Sequence, residues 1–307
     1  INEVDTVETY DSDFYEPITY IATETASIVE TVTASRSARE IVVTTDTIRV
    51  TIDSLGGDII EVALLKHLDS LEENAEPMLL LEKSVRRTYI AESGLRGPNG
   101  TTHNKTDVHF SSNQSSYEMI GSDDLEVDLV FNSPSGIKIT KRYTFRSDEY
   151  LIDVDFIIKN ESGSNWQTKF FSEIKRDQSV DPGADTAGFG MKSYLGAATT
   201  TADDNYKKIT FDDIKEKKFG NEYAGGWIAM IQHYFVSAWI PEPDARYSYY
   251  TEAERYVNVI GFYRNIQVQA GVTSKIGSQF YAGPKYQYRL KEIAPHLDLT
   301  IDYGWLW

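Results

Sequence analysis

The chain has 307 residues, 41% of them hydrophobic, so it can bury a sizeable core in one large domain or two ordinary ones. Its 47 acidic and 30 basic side chains give a formal net charge of −17, which repels the phosphate backbone of nucleic acids. The absence of cysteine excludes disulfides, thiolate nucleophiles, iron–sulfur clusters and cysteine zinc sites. We therefore expect a folded protein that does not bind nucleic acid.

The first 39 residues differ in composition from the rest of the chain. They are rich in Thr, Glu, Asp, Ser and Ala, and Arg36 and Arg39 are their only basic groups. Such a composition is typical of a segment that buries too little surface to fold alone. We expect residues 1–39 to be an acidic linker or tether, although the apolar patch from Phe14 to Ile21 leaves docking on the domain open.

From Glu40 onward, apolar and polar residues alternate, which predicts strands with one face toward a core. The alternating segments are Ile41 to Val43, Ile48 to Ile52, Leu125 to Phe131, Ile137 to Ile139, Tyr143 to Phe145, Leu151 to Ile158, Trp166 to Ile174, Val257 to Phe262 and Ile266 to Val268. Turn residues separate them at regular spacing. This pattern favours a large antiparallel sandwich across residues 40–282.

One segment near the end of the chain has the periodicity of a helix. It is predicted to begin at Gly283 and Pro284, since proline suits a first helical turn, and to end at Pro295. Its apolar stripe consists of Tyr286, Leu290, Ile293 and Leu297. Asp212 to Lys217 predicts a brief helical turn, whereas Glu61 to Leu71 fits a strand or a helix equally well.

No segment is long enough to cross a bilayer, because the longest nearly unbroken apolar run, Trp227 to Ile240, falls short of roughly 20 residues. The last residues are nevertheless unusual. Tyr303, Trp305, Leu306 and Trp307 combine apolar rings and polar atoms in the way that suits a membrane–water interface. The alternative for this tail is a terminal strand within a sheet.

Motifs of catalysis and ligand binding are missing from the sequence. The histidines have no metal-ligand spacing, and neither a nucleophile elbow nor a phosphate-binding loop is present. We therefore predict no catalytic, cofactor or metal site. The aromatic residues indicate either core filling or a cleft lined by Trp227, His233 and Trp239 that would hold a peptide or a glycan.

The segment from Ala294 to Trp307, APHLDLTIDYGWLW, resembles the junction between the periplasmic domain of YidC-type insertases and their next membrane helix. Three further stretches are similar in the same order. They are Thr51 to Ile59 with its Gly56-Gly57-Asp58, Gly225 to Pro241, and Tyr281 to Lys285. Together the stretches span residues 40–307, and residues 1–39 match no pattern of the family.

The resemblance implies a β-supersandwich similar to galactose mutarotase, closed by a C-terminal helix near the membrane. It also implies a domain on the periplasmic side of the inner membrane of a Gram-negative cell, tethered to the membrane in the full-length protein. Such a domain would assist insertion and chaperoning of nascent inner-membrane proteins through contacts with Sec translocon components. The family's inserting machinery lies among membrane helices, so this chain is expected to bind and position, not to catalyse.

An enzyme is the alternative hypothesis, because a β-sandwich rich in aromatic residues also fits a carbohydrate-binding protein or an aldose epimerase. Such an enzyme needs a general acid and a general base facing each other across a cleft. His103, His109 or His233 with Glu173 could supply that pair, but no spacing in the sequence singles it out.

Overall fold

The computed structural model describes residues 39–70, 72–104, 106–181 and 194–301, which form two largely antiparallel β-sheets around a common core. The strands, in chain order, are β1 (Glu40–Thr44), β2 (Ile48–Asp53), β3 (Asp58–Leu68), β4 (Pro77–Lys83), β5 (Thr88–Arg96), β6 (Thr102–His103), β7 (Thr106–Asp107), β8 (Ser111–Ser112), β9 (Ser116–Glu118), β10 (Leu125–Asn132), β11 (Ile137–Phe145), β12 (Leu151–Asn160), β13 (Trp166–Arg176), β14 (Gly196–Thr199), β15 (Lys207–Ile209), β16 (Gly220–Ala224), β17 (Ile228–Ile231), β18 (Phe235–Pro241), β19 (Arg246–Glu254), β20 (Val257–Val268) and β21 (Thr273–Pro284).

The larger sheet has the strand order β16-β19-β20-β13-β5-β4-β3-β2-β1-β9, with β6 and β7 attached to β5. The smaller sheet has the order β15-β14-β17-β18-β21-β12-β11-β10-β8. Many neighbours are distant in sequence. The last strand, β21, lies between β12 and β18 in the middle of the smaller sheet.

Alternation along the strands divides each sheet into a core face and an outer face, as the sequence predicts. On β13, Phe170 and Ile174 are fully buried in the core, and Ser172 between them hydrogen-bonds to Ser278 of the other sheet at 3.0 Å. Tyr89 and Ser237 make a second bond across the sandwich at 2.7 Å. The predicted antiparallel sandwich is confirmed, and the polar pairs fix how the two sheets face each other.

Two short α-helices accompany the sheets. Helix α1 (Phe211–Glu216) confirms the predicted turn, because Thr210 caps it and Asp213 completes a capping box. The ambiguous segment that begins at Glu61 is part of strand β3, which runs to Leu68. The structure thus resolves that ambiguity in favour of β structure.

The predicted start of the C-terminal helix is wrong. Gly283 and Pro284 are the last residues of β21 and pair with Val236 and Phe235 of β18. Helix α2 (Gln287–Ile293) begins three residues after Pro284, and a separate 3-10 helix covers Leu297–Thr300. A proline also suits the end of a strand, where its missing N–H breaks no further pairing, and the sequence alone does not separate the two cases.

Candidate functional site

The segment 285–301, called here the C-terminal element, leaves the sandwich directly from the central strand of the smaller sheet. The backbone N–H of Lys285 donates to the carbonyl of Tyr234 at 3.0 Å, and the Lys285 ammonium donates to the carbonyl of His233 at 3.2 Å. The hydroxyl of Tyr281 donates to the carbonyl of Pro284 at 2.5 Å. The turn between β17 and β18 therefore holds the exit point of the chain.

Three of the four residues of the apolar stripe predicted for this segment pack into or against the core, and Tyr286 is exposed. Leu290 and Leu297 are fully buried, Ala294 is nearly so, and Ile293 packs against the core from a half-buried position. Since α2 has only seven residues, it is too short to be stable by itself in water. Its helical structure therefore depends on docking against the sandwich.

An ion pair adds to this docking. The guanidinium of Arg289 contacts Glu149, in the turn between β11 and β12, through two bonds of 2.7 and 3.2 Å. The Glu149 backbone is itself held, because its carbonyl accepts a 2.6 Å bond from the Thr47 hydroxyl. Forked contacts of this kind fix orientation as well as distance. The C-terminal element is thus fastened to two turns of the sandwich that are far away in sequence.

A cluster of rings lies where the chain turns from β21 into α2. His67 contacts Phe235, Tyr150 and Tyr286 with ring centroids 5.6, 6.2 and 6.4 Å apart, and Tyr150 hydrogen-bonds to His67 at 3.3 Å. Burial lowers the pKa of His67. Gly283 permits this packing, because a Cβ there would lie 2.7 Å from the Tyr150 ring. The glycine of the Tyr281-to-Lys285 motif therefore has a packing role.

Large apolar side chains are exposed around the same end of the sandwich. They are Leu68, Tyr234, Tyr286, Tyr288 and Leu299, and we call this set the exposed fringe. Tyr288 is 84% exposed and Tyr234 is 68% exposed. Every member lies on the C-terminal element or directly beside a residue that contacts it. Leu290, two positions after Tyr288 and so on another side of the helix, is fully buried, so α2 has one docked face and one open face.

The predicted cleft residues lie in different surroundings. Trp227 and Trp239 are fully buried, and their indole N–H groups donate to the carbonyls of Pro295 and Glu173, each at 3.1 Å. Both rings fill the interior and do not line an open cleft, since Trp227 packs against Tyr206 and Trp239 against Phe280. His233 is exposed on the turn between β17 and β18 and contacts Tyr234. The amino-acid composition shows that aromatic residues are abundant, but it does not show whether their rings face the core or the solvent.

The residues proposed for acid–base chemistry are not brought together. Glu173 contacts Tyr250, Arg96, Lys175 and Glu92, and no histidine is among its described partners. Within the described part of the chain, no three His, Asp or Glu side chains are arranged to hold a metal ion. Among the same residues, no helix is long and apolar enough to cross a bilayer.

Some site residues could not be found from the sequence. Arg289 and Glu149 are separated by 140 positions, and nothing in either local pattern indicates the other. Tyr150 and His67 are likewise brought to Tyr286 only by the strand order. The predicted interfacial residues Tyr303, Trp305, Leu306 and Trp307 lie outside the described residues.

Known structures share the fold. A galactose mutarotase-like protein from Lactobacillus casei is similar over 79% of this chain and 99% of its own, with a TM-score of 0.53 and 9% identity. A galactose mutarotase related enzyme from Lactobacillus acidophilus covers 79% of this chain and 97% of its own, with a TM-score of 0.51 and 10% identity. At such low identity these likenesses show the sandwich architecture alone.

Sequence relatives are much closer. A membrane protein insertase YidC from Cellvibrio japonicus is 42% identical over 93% of this chain and 52% of its own length. The insertase of the same name from Alcanivorax borkumensis is 42% identical over 88% of this chain and 48% of its own length. The chain thus spans about half the length of these relatives. The family model described as YidC periplasmic domain matches residues 40–307, and the chain belongs to that family.

Proposed function

We propose that this chain is the periplasmic part of a membrane protein insertase, and that it binds and positions its partners without catalysing a reaction. The proposal is supported by relatives named as insertases, of which this chain covers about half. The described partners of Glu173 include none of the histidines that an aldose-epimerase mechanism would pair with it, so the structure offers no support for that alternative.

The observation that carries the proposal is the docking of the C-terminal element. Leu290 and Leu297 are buried, Arg289 is paired with Glu149, and the exit of the chain is bonded to the turn between β17 and β18. A tightly docked segment transmits the orientation of a rigid body to whatever follows it. We propose that the element couples the sandwich to the membrane part of the full-length protein, on the periplasmic side of the inner membrane.

The exposed fringe and the tail extend this proposal. Tyr288 and Leu299 present apolar surface beside the docked face, and Tyr303, Trp305, Leu306 and Trp307 follow in the sequence. Aromatic residues of this type settle at the boundary between headgroups and water. We propose that the fringe lies nearest the membrane, that residues 1–39 are a tether, and that residues 40–282 form the body of the domain.

The partners are proposed to be nascent inner-membrane proteins and components of the Sec translocon. Edge strands of the larger sheet offer backbone hydrogen-bonding groups for such contacts, as on the outer side of β16. A photo-crosslinker at Glu222 of β16 and another at Tyr288 distinguish the two surfaces. We expect translocon products from Glu222, and lipid or substrate products from Tyr288. Identical products from both positions would contradict this division.

The coupling role is tested by reversing one charge in the full-length protein. We expect Arg289→Glu to reduce the yield of inserted substrate severalfold, because it replaces a forked ion pair with two facing carboxylates and loosens α2. The measurement is protease protection of a substrate membrane protein in vesicles carrying each variant.

Lys291→Glu is the matched control, because it makes the same charge change at an exposed position of the same helix. It should insert substrate as the parent protein does. Equal yields from the two variants, with both proteins folded by circular dichroism, would contradict the coupling role.

A further inference from the structure

Three acidic residues form a row across the centre of the larger sheet. Glu173 of β13 lies directly opposite Glu92 of β5. Asp58 precedes Ile59 of β3, which pairs with Ala91, the residue before Glu92. The exposed fractions of the side chains are only 4% for Glu173, 15% for Asp58 and 19% for Glu92. Carboxyl groups opposed at this burial repel each other strongly if all are ionised.

The cations near this row neutralise the charge of Glu173 more completely than that of Glu92. Arg96 lies 3.5 Å from Glu173, and the hydroxyl of Tyr250 donates to the same carboxylate. The Lys175 ammonium lies 2.9 Å from Glu92 and 3.3 Å from Glu173, so it is shared between them. Glu92 therefore has part of one cation, with an acidic neighbour on each side along the row.

The backbone is adapted to this arrangement. Tyr250 on β19 reaches Glu173 across the intervening strand β20, at the position of Gly261. A Cβ at Gly261 would lie 2.7 Å from the Tyr250 ring and 2.9 Å from Cβ of Glu173. The missing side chain is what lets the phenol cross. The contact between Tyr250 and Glu173 is thus built into two strands, and it holds the ionised form of Glu173.

Asp58, at the other end of the row, has its own cation in Lys141. The ammonium of Lys141, fully buried in the smaller sheet, lies 3.6 Å from Asp58 and donates to the carbonyls of Ser93 and Gly56 at 2.7 and 3.4 Å. Burial raises the pKa of Asp58 to about 6 and lowers the pKa of Lys141 to about 8. The Lys141 charge is therefore largely committed to Asp58 and to backbone carbonyls.

These contacts shift the pKa values of the two opposed glutamates in opposite directions. Burial, and then the charges of Asp58 and Glu173, raise the pKa of Glu92 to about 8. Burial also acts on Glu173, but Lys175, Arg96 and Tyr250 outweigh it and lower the Glu173 pKa. The charged and titratable groups that face the pair are Asp58 on β3, Arg96 on β5, Asp107 on β7, Lys141 on β11, Lys175 on β13, and Tyr250 and Glu254 on β19.

We propose that Glu92 and Glu173 share one proton at neutral pH, and that this carboxyl–carboxylate pair is a pH-sensitive contact that stabilises the pairing of β5 with β13. When the proton leaves, two carboxylates face each other across the middle of the larger sheet, and that pair of strands is weakened. The device lies on the outer face of the larger sheet, and it does not depend on the coupling role of the C-terminal element.

The expected pH dependence follows from the direction of each shift. Unfolded Glu92 loses its proton near its ordinary value, whereas folded Glu92 holds it to about pH 8. Folded Glu92 therefore holds more of its proton than unfolded Glu92 over this interval, and its contribution to stability falls as pH rises through it. Close to pH 8 Lys141 acts in the opposite direction, because its lowered pKa makes the folded protein bind fewer protons there. Between about pH 6.5 and pH 7.5, where Glu92 dominates, the melting temperature should fall by roughly 2–3 °C.

The experiment combines a direct titration with a variant, on the full 307-residue chain. Carbon-13 NMR of labelled glutamate carboxyls should show Glu92 titrating close to pH 8 in the unmodified protein. Glu92→Gln keeps the size and can still donate to Glu173, so its melting temperature should stay level over the same pH interval. Glu161→Gln, at an exposed carboxyl paired with Lys159, is the matched control and should keep the parent slope.

Two results would overturn the proposal. One is a Glu92 titration near the value of ordinary glutamate, which is read from the unmodified protein and needs no variant to fold. The other is a Glu92→Gln protein that folds and retains the full pH slope of the parent.

Discussion

At the scale of single residues, glycines of this sandwich mark the places where an aromatic ring crosses a neighbouring strand. Gly261 lies beneath Tyr250, and Gly283 lies beneath Tyr150. Gly94 meets the ring of Phe171 in the same way, at 2.9 Å from a built Cβ. None of the three has a positive φ, so the requirement is for space and not for backbone freedom. At Gly261 the ring of Tyr250 thereby reaches Glu173 on β13, a strand that β19 does not touch.

Gly261→Ala tests this interpretation. The added methyl would collide with Tyr250 and Glu173, and we expect a loss of roughly 1–3 kcal/mol in the free energy of unfolding, as in other overpacked sites. Urea denaturation followed by circular dichroism measures it. Gly220→Ala is the matched control, because it also lies in a strand and a Cβ there meets nothing within 4 Å. Equal losses would show that strand glycines matter here for another reason.

At the scale of elements, the C-terminal segment illustrates how little a seven-residue helix contributes by itself. Its stability comes from Leu290 and Leu297 in the core, from Arg289 on Glu149, and from the indole of Trp227 bonded to Pro295. Each contact reaches a different part of the smaller sheet or its turns. The helix is consequently stabilised by its contacts with the sandwich and not by its own sequence.

Leu290→Ala should therefore cost about 2–5 kcal/mol in the free energy of unfolding, the range for a fully buried leucine. Tyr288→Ala, two positions earlier and 84% exposed, should change stability by less than about 0.5 kcal/mol. Chemical denaturation of both variants makes the comparison. A Leu290→Ala protein as stable as the parent would mean that the sandwich does not need the docked helix.

Much of the fold follows from local patterns in the sequence, and much of the site does not. The alternation in segments such as Leu151 to Ile158 correctly predicts strands, because every second residue there is apolar and buried. The sequence places the start of α2 too early, because Pro284 suits a strand end as well as a helix start. Aromatic composition leaves core filling and a cleft both open for Trp227 and Trp239, because it carries no information about which face is buried, and the structure buries both rings fully.

At the scale of the whole molecule, the excess of negative charge opposes the compact state. The formal net charge of the whole chain is −17, and residues 1–39, with eight acidic and two basic groups, contribute −6 of it. Among the described residues, most ion pairs have at least one partner that is substantially exposed. Exposed pairs contribute little, while repulsion among many like charges acts over the distance that salt leaves unscreened. Added salt should therefore help this protein more than it harms it.

We expect the melting temperature at pH 7.5 to rise by a few degrees when sodium chloride increases from about 20 mM to about 200 mM. Differential scanning fluorimetry measures the change. Near pH 5, where many carboxyl groups begin to take up protons, the same addition should have a smaller effect. A melting temperature that falls with salt at pH 7.5 would mean that attractive ion pairs dominate the long-range repulsion.

The position of β21 has a consequence for how the polypeptide matures. This strand lies between β12 and β18, and its partners on β12 are more than one hundred positions earlier in the chain. A growing chain stopped before residue 273 leaves the inner edges of β12 and β18 without their common neighbour, and open edges of this kind invite mispairing. The smaller sheet can therefore close only after β21 has been synthesised. Because β21 leads directly into α2, the sandwich completes its fold at the same stage of synthesis at which the C-terminal element begins to emerge.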